Sequence, residues 1–206
     1  MLLIEIIAVI MSMLNVWLTA QRHLFCWPVG LVSVGIYSWI FFEAQLYSDL
    51  LLQVVFAFCL VYGWRHWLHG RGEGQEEVLV EHLPVRSGVI GLSIGGVGAV
   101  LLGYTMARLT KASLPWIDSA LTSFSLVAQF WMGRRYVACW LLWIAVDVVY
   151  VGVYMFKHLH LTALLYAVFV VLALFGWKSW KQAMDRQQRS LEKKQQQNDW
   201  VNKVVG

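Results

Sequence analysis

Seven apolar runs dominate this sequence, at 2–20, 24–42, 48–67, 87–107, 116–132, 136–156 and 159–178. About 20 residues of α-helix span the hydrocarbon core of a bilayer. No water reaches that core to satisfy the backbone, so such runs cross it only as helices. The runs predict an all-α integral membrane protein with seven transmembrane helices. Composition argues against a soluble enzyme. The chain is 59% hydrophobic and only 14% charged, against about 25% charged in an ordinary soluble domain. The first run has no basic segment before it and no small-residue cleavage site after it, so it is expected to be a span and not a signal peptide.

Charge sets an expected orientation. Seven spans put the termini on opposite sides. Arg22, Arg65, Arg71, Arg86, Arg134, Arg135 and the seven cations of the tail then share one side. Arg108, Lys111 and Lys157 share the other. The positive-inside rule places the C-terminus in the cytoplasm and the N-terminus outside. The net charge of +4 is one-sided across the membrane, so it does not imply a nucleic-acid partner. Residues 68–86 carry Gly70, Gly72, Gly74 and Pro84 with several Glu, and read as a cytoplasmic loop. Residues 181–199, rich in Gln, Lys and Arg, read as a solvated helix or a disordered tail.

The chain repeats itself. At an offset of 113, residues 5–67 align without a gap on 118–180. The identities include Ser12/Ser125, Arg22/Arg135, Cys26/Cys139, Trp27/Trp140, Tyr37/Tyr150, Gly63/Gly176, Trp64/Trp177 and Trp67/Trp180. Apolar composition produces chance Leu and Val matches, but not Trp, Gly, Tyr and Arg at one offset. Each repeat holds three spans and a fourth span joins them, so the two halves run the same way through the membrane. The expected organisation is 3+1+3: a first repeat over 1–67, a loop and linker helix over 68–115, a second repeat over 116–180 and a tail over 181–206. Receptors and membrane enzymes also use seven helices, but a parallel duplication favours a transporter with one site between its halves.

Helical spacing picks out the site. Trp140, Trp143, Asp147, Tyr150 and Tyr154 share one stripe of the sixth span. A carboxylate mid-membrane costs at least about 2.5–3.5 kcal/mol, and no Lys or Arg in that span can pair with Asp147. Asp147 should therefore face a polar cavity. The third span aligns Asp49, Gln53, Phe56, Leu60 and Gly63, and the seventh aligns Thr162, Tyr166, Phe169, Ala173 and Gly176. Gln53 and Tyr166 thus hold matching positions. Asn15 and Trp17 in the first span, Gln129 in the fifth and Tyr37, the counterpart of Tyr150, complete the expected substrate-binding set. Helix–helix packing and interhelical hydrogen bonding compete with the binding reading at each of these positions. Pro28, Gly30 and Gly35 have no counterparts in the second half, which predicts a looser second span. Stacked Trp and Tyr faces attract flat cationic rings, a buried carboxylate favours a cation, and amides read hydroxyls and amides. The expected ligand is a small, polar, cationic aromatic.

No catalytic residues, metal ligands or cofactors are expected. Cys26, Cys59 and Cys139 lie inside apolar runs without metal-type spacing. His66, His69, His158 and His160 fall at membrane edges, and no phosphate loop or nucleophile elbow occurs.

Tyr47-Ser-Asp49-x-x-x-Gln53, Tyr62-Gly63-Trp64-x-x-Trp67, Trp140-x-x-Trp143-x-x-x-Asp147-x-x-Tyr150 and Leu165-Tyr166 with Gly176-Trp177-x-x-Trp180 resemble the PnuC family of bacterial vitamin transporters over about residues 5–180. The resemblance implies a SWEET-like seven-helix fold in the bacterial inner membrane and a homotrimer with one pathway per subunit. It implies nicotinamide riboside as cargo, moved by facilitated diffusion and trapped by a cytoplasmic kinase. Many relatives carry Asn where this chain has Cys26 and Cys139. That departure keeps thiamine, another cationic aromatic, or a further vitamin or nucleoside as the alternative cargo. A non-catalytic membrane sensor is the alternative outside the class, although the tail is short for a signalling domain.

Overall fold

A computed structural model describes residues 2–43, 45, 47–69, 78–109 and 114–205. Gly70, Arg71, Gly72 and Gly74 of the predicted loop, Lys111, and the side chain of Asp49 lie outside the described residues. The described chain forms seven helices: α1 (Leu2–Ala20), α2 (Cys26–Glu43), α3 (Tyr47–His69), α4 (Val85–Leu109), α5 (Pro115–Gly133), α6 (Ala138–Phe156) and α7 (His160–Val205). Each begins close to the apolar run that predicted it, and all but α7, which runs on to Val205, also end close to it. Among the described residues there is no β-strand, only one isolated bridge between Glu81 and Tyr136.

Five helices are long and apolar enough to cross a membrane, namely Cys26–Glu43, Leu50–His69, Val85–Arg108, Ala138–Phe156 and the apolar portion of His160–Trp200. The described apolar part of α1, Ile6–Ala20, is shorter. α5 carries Asp118, Ser119, Ser123, Ser125 and Gln129. It packs against α3, α4 and α6, so much of its surface meets protein and need not be apolar. α4 is the opposite case. Val89, Ile94, Val97, Leu101 and Tyr104 are exposed along it, as expected of a helix facing lipid.

The contacts follow the offset of 113. α1 packs on α2 and α2 on α3, as α5 packs on α6 and α6 on α7. Between these groups α3 meets α5 and α1 meets α7. The turns repeat as well. Arg22 and Arg135 take left-handed φ values of 59° and 64°, and Gln45 and His158 take 56° and 57°. At Arg22 the chain closes α1 with Arg22 N–H donating to the Thr19 carbonyl and His23 N–H to that of Leu18. Arg135 and Tyr136 close α5 identically onto Met132 and Trp131. This is the Schellman closure, here with Arg where Gly is usual.

Glycine permits the closest helix contacts. A Cβ on Gly176 would lie 2.6 Å from the Trp140 ring, and one on Gly63 would run into Trp27. Trp27, Trp67, Trp140 and Trp180 are each at most 1% exposed and form one cluster. Trp27 meets Trp67 edge-to-face at 5.1 Å, Trp140 meets Trp180 edge-to-face at 5.6 Å, and Trp67 and Trp180 join the pairs at 5.7 Å.

Three expectations are refined. α2 runs unbroken from Cys26, with Pro28 in its first turn. There the missing N–H has no intrahelical partner to lose, so proline does not kink the helix. The end of the predicted cytoplasmic loop is partly buried: Val78 and Val80 are 2% and 6% exposed. The tail takes the helical alternative, for α7 continues through 181–205 and reaches about 70 Å at 1.5 Å per residue.

Candidate functional site

α1, α2, α3, α5, α6 and α7 enclose a cavity of about 360 Å³. Nine of the ten residues expected in the substrate site line it: Asn15, Tyr37, Gln53, Gln129, Trp140, Trp143, Asp147, Tyr150 and Tyr166. Trp17 does not. Ser12, Asn15 and Thr19, three and four residues apart, form the inner face of α1. Trp17 stands about 200° around the helix from Asn15 at 100° per residue, and is 43% exposed on the outer face. Its removal from the set follows from helix phase alone.

The two halves supply matching backbone positions with different chemistry. Gly30 and Val34 of α2 line the cavity where α6 presents Trp143 and Asp147, and Gln53 of α3 stands where α7 presents Tyr166. A Cβ on Gly30 would come within 3.1–3.3 Å of the ends of the Leu60 and Asn15 side chains, which would have to give by a few tenths of an ångström. Both tryptophans and the acid thus come from the second half, and the first half has Gly30 and Val34 at the positions matching Trp143 and Asp147 and, on α1 and α3, the amides Asn15 and Gln53.

Asp147 is 6% exposed. Among the described residues it has no ion-pair partner, and no Lys, Arg or His lines the cavity. The indole nitrogens of Trp140 and Trp143 are buried without a hydrogen-bond partner. Buried polar groups in native proteins are mostly paired, and the Trp27 indole nitrogen, away from the cavity, is likewise buried without a partner.

Tyrosines pack one end of the cavity. Tyr150 and Tyr166 stand 4.5 Å apart, and Tyr154 stacks on both at 5.9 and 5.2 Å. The Tyr154 and Tyr166 hydroxyls hydrogen-bond each other, and Tyr150 hydrogen-bonds Ser125. In the first half Tyr37 stacks on Phe41 at 6.0 Å. Gln53 stands in place of the third ring there, an amide where the second half has a phenol.

Sequence reasoning missed the hydroxyls. Ser12, Thr19, Ser33 and Ser125 line the cavity, with Ser12 and Ser33 hydrogen-bonded at 2.9 Å. The signal was present in the spacing Ser12–Asn15–Thr19 and Ser125–Gln129. Cys26 and Cys139, which replace expected Asn residues, are buried among the tryptophans and do not line the cavity. The four histidines at the membrane edges do not line it either.

Comparison with known proteins agrees with this architecture. The profile of the family described as "Nicotinamide mononucleotide transporter" matches residues 2–182. The nicotinamide riboside transporter PnuC of Escherichia coli is 28% identical, over 91% of this chain and 89% of its own. The riboflavin/roseoflavin transporter RibM of Streptomyces davaonensis is 25% identical, over 85% and 83%. The crystal structure of the vitamin B3 transporter PnuC superimposes with a TM-score of 0.69 at 24% identity, covering 87% of this chain and 80% of that one. The family match takes in every helix up to the point where α7 turns polar, and on that extent the chain belongs to the nicotinamide mononucleotide transporter family of multi-pass membrane proteins.

Proposed function

We propose that this protein is a bacterial inner-membrane carrier for nicotinamide riboside. It works by facilitated diffusion, and a cytoplasmic kinase traps the cargo. The observation that carries this reading is Asp147, buried without a cation, beside the indoles of Trp140 and Trp143 in a cavity lined by amides and hydroxyls. A cationic pyridinium ring suits the indole faces and the carboxylate. The ribose hydroxyls and carboxamide suit Asn15, Gln53, Gln129, Tyr37, Tyr150 and Tyr166. A phosphate does not suit the site, because among the described residues no cationic side chain lines it and an unpaired buried charge is costly. That favours the riboside named for the Escherichia coli relative over the mononucleotide of the family description.

The carrier has a 3+1+3 organisation. The repeated contacts, turns and Trp–Gly pairs support this, with a first three-helix repeat in 1–67, a loop and linker helix in 68–115, a second repeat in 116–180 and a tail in 181–206. The charge asymmetry supports an N-terminus in the periplasm and a C-terminus in the cytoplasm. The family resemblance supports a homotrimer with one pathway per subunit.

Uptake into proteoliposomes tests the proposal. Labelled nicotinamide riboside should enter without ATP or a proton gradient and stop when concentrations equalise. Excess unlabelled nicotinamide riboside should compete, and the mononucleotide should not. Competition by thiamine or riboflavin alone would reassign the cargo, and accumulation abolished by a protonophore would show coupling to protons.

A further inference from the structure

Beneath the cavity, on the side of Arg22 and Arg135, lies an assembly that ligand binding does not explain. The four buried tryptophans close that end, with Thr19, Leu60, Met132, Trp140 and Ala173 on the cavity side. Residues 78–84 run across it as an extended strap. The strap follows α3 in the chain, but it is fastened to the turn between α5 and α6. Glu81 N–H donates to the Arg135 carbonyl at 2.9 Å, and Val137 N–H donates to the Glu81 carbonyl at 3.1 Å. The Arg135 guanidinium donates to the Glu81 carboxylate at 2.7 Å. A second anchor comes from the helical tail, where the Val80 N–H donates to the Gln187 side chain at 3.3 Å. Val78 and Val80 insert into the same buried cluster as Trp67 and Trp180.

In the first half the matching residue, Arg22, donates to the Ser179 carbonyl of α7 at 3.4 Å. The 78–84 strap joins parts of the chain that must separate if the tryptophan cluster is to open toward the tail.

We propose that the 78–84 strap is a latch on the inner gate of this carrier: its Glu81–Arg135 and Val80–Gln187 fastenings hold the tryptophan cluster shut, and their release opens the cavity to the cytoplasm. The inference rests on the cytoplasmic assignment of this face given above. The latch sets the equilibrium between closed and inward-open forms without touching the cargo. A ligand or mutation shifts such an equilibrium only by its differential free energy between the two forms.

The chain carries its own reporters. Cys26 and Cys139 are 1% and 0% exposed within the cluster, and opening the gate uncovers them. With Cys59 replaced by Ser, a membrane-impermeant methanethiosulfonate reagent is applied to inside-out vesicles and modification of the two cysteines is followed by mass spectrometry. Glu81→Gln and, separately, Gln187→Leu should each speed modification about fivefold, the shift expected from losing one partly exposed pairing. The exchange Glu81→Arg with Arg135→Glu should restore slow modification. Affinity for nicotinamide riboside at the closed site should stay within about twofold, since neither fastening lines the cavity. Unchanged labelling in both single variants, with melting temperature retained, would overturn the latch and leave the strap a static support. A variant that lowers melting temperature while labelling Cys59-free protein no faster than its parent would count against it equally. Lys193→Cys in the exposed tail separates this failure from that of the orientation: if it is labelled only in right-side-out vesicles, the cytoplasmic assignment is wrong.

Discussion

The indole N–H of Trp180 donates to the backbone carbonyl of Thr19 at 3.0 Å, joining residues 161 positions apart. The same bond recurs at the offset of 113, where Trp67, the counterpart of Trp180, donates to the carbonyl of Met132, the counterpart of Thr19, at 3.2 Å. Each half of the protein thus braces the last turn of the leading helix of the other. Thr19 and Met132, the two acceptors, also line the cavity, so the braces couple the floor of the site to the closed tryptophan cluster.

Trp180→Phe and Trp67→Phe each remove one brace and leave the carbonyl with its backbone partner alone, the N–H of Arg22 on Thr19 and that of Arg135 on Met132. A net hydrogen bond contributes about 1 kcal/mol, so each variant should melt measurably lower in detergent. The two rings touch at 5.7 Å, and residues in contact are rarely additive. The double variant should therefore depart from the sum of the singles. Additive losses would show the two braces to be independent.

Gly176→Ala drives a methyl into Trp140, and Gly63→Ala drives one into Trp27. Overpacking of this kind costs about 1–3 kcal/mol. Both variants should lower the melting temperature, whereas Gly152→Ala, with nothing within 4 Å of its Cβ, should not. Equal melting of all three would show that the tryptophans yield freely.

Asp147→Asn and Trp143→Ala should weaken binding of nicotinamide riboside by about 10- to 100-fold, from the loss of a charged hydrogen bond or a stacked cation. Lys193→Ala, on the exposed tail, should change nothing. Calorimetry and thermal melting on the same purified variants separate binding from packing. A lower melting temperature with unchanged affinity would make the stripe structural.

A reporter that fluoresces only in the cytoplasm should be bright at the C-terminus and dark at the N-terminus. The reverse pattern would invert the topology drawn from the distribution of Lys and Arg.

Helix positions were legible because hydrocarbon imposes a length and a composition on anything that crosses it. Most of the stripe was legible for a similar reason, since helical phase carries Asp147, Trp143 and Tyr150 to one face wherever the helix is placed. Phase read from single residues was less reliable. Trp17 is as aromatic as its supposed partners, but the inner face of α1 belongs to Ser12, Asn15 and Thr19. Polar serines also went unread, because one hydroxyl in a helix can satisfy itself on its own backbone, as Ser12 does on Ala8 at 2.9 Å.

What the sequence by itself determined is the set of elements, their repetition and the chemistry available on each inner face, because these depend on local periodicity and on a fixed offset along the chain. Only the tertiary structure decided which faces meet. It put Cys26 and Cys139 among the tryptophans and outside the cavity, set small residues opposite Trp143 and Asp147, and drew Val78, Val80 and Glu81 out of an apparent solvent loop onto the turn at Arg135. Those placements rest on contacts between residues far apart in the chain, where shape and pairing across helices decide, and no local pattern records them.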